Sequence, residues 1–104
     1  MSEWVLIAPA AAIVEGEAFA SEVGEEAIAL YRLDGEIHCI GDICTHEHVR
    51  LSEGWVDGDR IECPLHQACF EIRTGKVLSG PAYEDVKRYE VKVEGDSVFV
   101  RSGQ

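Results

Sequence analysis

No stretch of about 18 apolar residues occurs in the 104-residue sequence, so nothing in it reads as a membrane-spanning helix. Positive charge is scarce as well. Nine Lys and Arg stand against twenty Asp and Glu, none of the nine precedes Arg32, and the formal net charge is −11. Nucleic acid and anionic membrane surfaces are therefore poor partners, whereas an acidic surface serves either to steer a basic patch on another protein or for solubility alone. The sequence lacks a G-x-G-x-x-G dinucleotide fingerprint, an internal repeat and a Pro- or Ser-rich linker. Sustained helical spacing is missing except for a turn around residues 9–15. Glu3 is acidic where a secretion signal would carry its positive n-region, which makes the cytoplasm the expected location.

What remains is a sequence of strands and turns with 46% hydrophobic content, enough for one globular domain over residues 1–104. Residues 27–33, the pair Asp34-Gly35 and residues 36–40 predict a β-hairpin, because Asp-Gly supplies the positive φ angles of a tight two-residue turn. Residues 86–93 alternate apolar and polar side chains, 94–96 turn, and 97–101 return, predicting a second antiparallel pair. Between them, 55–56 and 60–62 flank the turn Asp57-Gly58-Asp59, and residues 69–73 run into a turn at Thr74-Gly75-Lys76. The predicted class is all-β, with a short-stranded subdomain carrying Cys44 to Cys69 set between the outer strands.

Four cysteines, Cys39, Cys44, Cys63 and Cys69, could form two disulfides, but in a reducing compartment cysteines interspersed with histidines more often bind metal. Two of them sit in paired motifs. Cys44-Thr45-His46 is followed, after sixteen intervening residues, by Cys63-Pro64-Leu65-His66. Each pair suits a tight loop, and the strand-like pieces between them would bring the loops together. Mixed sulfur and nitrogen donors suit zinc or an iron–sulfur centre and disfavour magnesium or calcium. A zinc finger pairs Cys with Cys and His with His, whereas here each loop contributes one of each. With two metals that alternation acquires a meaning: if one iron takes both thiolates and the other both imidazoles, each loop reaches across both, as in a Rieske [2Fe–2S] centre. His48 is placed as a loop histidine, Cys39 as a buried thiol in a strand and Cys69 as structural.

On these residues, together with "ECPLHQACF", "IRTGKV" and "SGPA" (79–82), the whole chain resembles the Rieske family, specifically the small ferredoxins of bacterial aromatic-ring-hydroxylating dioxygenase systems. The resemblance implies an antiparallel β-sandwich base with a small inserted cluster-binding subdomain over about residues 43–69. It assigns Cys44 and Cys63 to an inner iron and His46 and His66 to an outer one, with one [2Fe–2S] cluster as cofactor. The 79–82 stretch resembles the proline-containing loop that shields the cluster, and Glu47, His48, Leu65, Gln67 and Pro81 would frame a docking tip. High-potential respiratory members carry an extra cysteine in each ligand loop. Val49 and Leu65 stand at the matching places here, so the expected potential lies toward the low end of the Rieske range of roughly −150 to +300 mV. The implied role is a non-catalytic electron carrier between a flavin-dependent, NAD(P)H-oxidising ferredoxin reductase and a terminal oxygenase. A redox subunit of another oxidoreductase, such as a nitrite-reductase-like system or a monooxygenase, and a structural zinc module are the rival readings.

Overall fold

The computed structural model describes residues 3–44, 49–64, 68–80 and 84–101. It contains eleven strands among these residues: β1 (Trp4–Pro9), β2 (Ala18–Val23), β3 (Glu26–Leu33), β4 (Glu36–Gly41), β5 (Trp55–Asp57), β6 (Arg60–Glu62), β7 (Cys69–Glu71), β8 (Val77–Ser79), β9 (Arg88–Tyr89), β10 (Val91–Glu94) and β11 (Ser97–Arg101). Short 3₁₀ turns occupy Ala10–Ala12 and Leu51–Glu53. The strands form three antiparallel sheets in the orders β1-β11-β10, β2-β3-β4-β9 and β5-β6-β7-β8.

The second sheet is the middle layer, and β3 shows why. Its side chains alternate between two cores: Ile28 and Leu30 join Val98, Val100 and Cys39 against the first sheet, while Ala29, Tyr31 and Leu33 join Ile61, Phe70, Cys44 and Cys63 against the third. A strand covered on both faces loses the polar alternation of a half-buried one, which is why "AIALY" reads as a continuous apolar run. The β3–β4 hairpin has the predicted turn, with Asp34 at φ 52° and Gly35 at φ 85°, the positive values a type I′ turn requires. Arg32 secures the neighbouring segment by donating from Nε to the Ile13 carbonyl at 2.7 Å and from Nη2 to that of Ala10 at 2.7 Å.

The single strand expected over 86–93 is divided. Arg88-Tyr89 pairs with β4, whereas Val91–Glu94 pairs with β11 in the other sheet. Glu90 marks the crossing, where its carbonyl accepts from the Arg101 amide at 3.0 Å and its carboxylate meets the Arg101 guanidinium at 3.0 Å. Because the inward–outward alternation continues across Glu90, period-two patterning could not register the change of sheet. The strand expected over 69–73 ends at Glu71. Ile72 turns inward, its amide donating to the Asp59 carbonyl at 2.9 Å, and β8 follows the turn as an additional strand. The third sheet lies in sequence between β4 and β9, which are neighbours; the Gly41 amide donates to the Lys87 carbonyl at 2.8 Å where the chain leaves and rejoins the middle layer.

Candidate metal centre

Cys44 and Cys63 occupy equivalent places in two loops. Each opens its loop and closes it at the base with its own amide: Cys44 N–H donates to the Val49 carbonyl at 2.9 Å, and Cys63 N–H to the Ala68 carbonyl at 2.7 Å. Both bonds span five residues. The first loop extends the end of β4, through an isolated bridge between Ile43 and Arg50, and the second joins β6 to β7. Both cysteines are buried, at 3% and 0% exposure, in one apolar cluster with Leu51, Ile61, Ala68 and Phe70.

A polar strap unforeseen in the sequence binds the first loop at its root. The fully buried Asp42 carboxylate accepts from the Ser52 amide at 2.7 Å, the Ser52 hydroxyl at 2.7 Å and Arg50 Nη1 at 3.0 Å, while the Asp42 carbonyl accepts from the Leu51 amide at 2.7 Å. Burial raises its pKa, and the Ser52 bonds and Arg50 oppose that rise. One side chain thereby ties the residues preceding Cys44 to those following Val49. Only a lone Asp in an apolar stretch hints at it in the sequence.

The described residues on either side of the stretch expected to shield the centre bond to one another: the Val77 amide donates to Asp85 Oδ1 at 2.9 Å, and the Val86 amide to the Gly75 carbonyl at 2.9 Å. His46 and His66 lie outside the described residues, as do Glu47, His48, Leu65, Gln67, Pro81 and Ala82. Among the described residues, no three His, Cys, Asp or Glu side chains gather in a metal-holding group. The two buried sulfurs would supply the soft half of the expected donor set, and their chemistry fits an iron–sulfur centre.

None of the four cysteines forms a disulfide. Cys39 belongs to the core on the opposite side of the middle sheet, where burial and then the Asp42 charge push its thiol pKa up; it is the buried strand thiol the spacing predicted. Cys69 is half-buried in β7, opposite Glu62 and on the face away from Ile61 and Phe70. His38, the one described histidine, sits near Arg73, with Nε2 3.3 Å from Nη1.

Residues 3–90 match the model of the Rieske [2Fe-2S] domain. The chain is 41% identical over 98 residues to the ferredoxin component of the naphthalene 1,2-dioxygenase/salicylate 5-hydroxylase systems of Ralstonia sp., covering 94% of each. It superposes on the Sphingomonas yanoikuyae B1 ferredoxin with a TM-score of 0.91 and 31% identity, covering 97% of this chain and 100% of that one. A ferredoxin solved in complex with the reduced oxygenase of carbazole 1,9a-dioxygenase gives 0.87 and 35%, with 93% and 91% covered. The cofactor is one Rieske-type [2Fe–2S] cluster. With its fold, its paired cysteine loops and its relatives in agreement, the chain belongs to the Rieske [2Fe-2S] domain family.

Proposed function

We propose that this protein is a cytoplasmic one-electron carrier that takes electrons from an NAD(P)H-dependent flavin reductase and delivers them to the terminal oxygenase of an aromatic-ring-hydroxylating dioxygenase system, without itself transforming substrate. The observation that carries the reading is the pair of buried cysteines, each opening a loop closed by the same five-residue amide bond, with a histidine two or three residues further on. Cys44 and Cys63 would hold the inner iron, and His46 and His66 the outer one. The bound cluster supplies one-electron chemistry at a potential above that of all-cysteine centres. The chain's own part is to bury the thiolate side in apolar packing, which excludes water from the sulfurs, and to hold the loops at a set spacing. Glu47, His48, Leu65, Gln67 and Pro81 are the proposed contact tip.

The decisive measurement is an EPR spectrum of the protein after anaerobic reduction with dithionite. A rhombic signal with a mean g value below that of all-cysteine [2Fe–2S] ferredoxins is expected. A silent sample holding zinc and no labile sulfide would replace the carrier with a structural module. His46→Ala and His66→Ala should each lose the cluster, measured as iron and acid-labile sulfide per chain.

A further inference from the structure

Gly54 ends the 3₁₀ turn that follows the first ligand loop, its amide donating to the Leu51 carbonyl at 2.8 Å. Its missing side chain faces the root of the second loop. A Cβ built there would overlap the Glu62 carbonyl oxygen outright, and would stand 3.0 Å from the Glu62 carbonyl carbon and 3.1 Å from Pro64 Cδ. Two of those atoms are backbone and the third belongs to a ring, so none can swing aside as the end of a flexible chain would. Glu62 and Pro64 flank Cys63, and Leu51 lies two residues beyond Val49, whose carbonyl closes the Cys44 loop. Gly54 is thus the place where the trailing end of one loop meets the leading end of the other at backbone contact.

We propose that Gly54 is a positioning residue for the cluster: its absent side chain sets the distance between the two ligand loops, and any larger residue would drive the Cys63 loop away from the Cys44 loop. The proposal rests on the assignment of one Cys and one His from each loop. Four ligands divided between two loops can bridge two irons only at one separation, so displacing one loop must distort or release the centre. A merely structural glycine would lower stability and leave the magnetic properties of the iron unchanged.

The test compares Gly54→Ala with Gly41→Ala in the full chain. A Cβ at Gly41, three residues before Cys44, meets nothing closer than 3.7 Å. The expected result is that Gly54→Ala loses iron to a chelator about 10–100-fold more readily and shows shifted g values, while Gly41→Ala matches the unaltered protein. Full cluster retention with a superimposable EPR spectrum and an unchanged midpoint potential in Gly54→Ala would overturn the proposal, as would equal losses in both variants. Should Gly54→Ala fail to accumulate folded, Pro64→Ala loosens the same contact from the other side. Shifted g values there support the proposal, and an unaltered spectrum and retention overturn it. An unaltered protein without the Rieske signal would instead overturn the ligand reading itself, which separates the two failures.

Discussion

At the scale of single residues, several buried polar groups make opposite demands. Asp42 is fully buried with three donors on its carboxylate, and Asp42→Ala would leave the Ser52 amide and Arg50 without that partner. Arg50 is 34% exposed and can recover water, so the expected cost is about 1–3 kcal/mol, below that of orphaning a fully enclosed charge. Chemical denaturation of wild type and variant measures it. Tyr31 is the reverse case: its buried hydroxyl has no hydrogen-bond partner among the described residues, so Tyr31→Phe should be neutral or slightly stabilising in the same assay. His38 is held below its ordinary pKa, first by burial and then by the Arg73 charge, with Glu36 opposing. A histidine that prefers to be neutral when folded contributes stability above its unfolded pKa of about 6.5, and that contribution is lost as pH falls through the lower folded value. His38→Gln should therefore lose less stability than wild type between about pH 7.5 and 5, where neutral histidine gives way to the charged form. An identical decline in both would refute the assignment.

Among the elements, β3 carries the largest energetic responsibility because it serves both cores. Leu30 is fully buried on the side away from Cys44 and Cys63. Leu30→Ala should cost about 2–5 kcal/mol by removing buried methyl groups and leaving a cavity. The EPR spectrum of the folded fraction should stay unaltered, since the middle sheet stands between that core and the cysteines. A changed spectrum would mean that the two cores are mechanically coupled. This strand also shows what a sequence can disclose. The hairpin at Asp34-Gly35 was legible because its turn chemistry is local, and the local spacing of Cys44 and Cys63 singled out two cysteines that the fold buries in one cluster. The division of 86–93 at Glu90 was not, since alternation is blind to which sheet a strand joins. β1 and β2 were not singled out either: "WVLIAPAAA" is apolar without a strict period, and β1 has a register irregularity between Leu6 and Ala8. Gly54 escaped because its meaning lies in a carbonyl eight residues away in sequence and touching only in space.

Across the whole molecule, the acidic surplus of a chain with a sequence pI of about 4.6 should govern encounter more than affinity. Electron transfer to an oxygenase presenting a basic patch should slow as ionic strength rises through about 0.1 M, where the screening length shrinks to about 10 Å. Stopped-flow kinetics across a salt series reads this out, and a rate that climbs with salt would show that the docking faces repel. Finally, the chain departs from the middle layer at Gly41 and returns at Lys87, two positions joined by a hydrogen bond. The four proposed ligands thus all belong to one excursion that leaves and rejoins the middle layer at neighbouring strands. A segment with such neighbouring ends could be exchanged between relatives as a cartridge, provided that the lining of Ala29, Tyr31, Leu33 and Ile40 travels with it. Evolution could then retune an electron's driving force without rebuilding the frame that holds it.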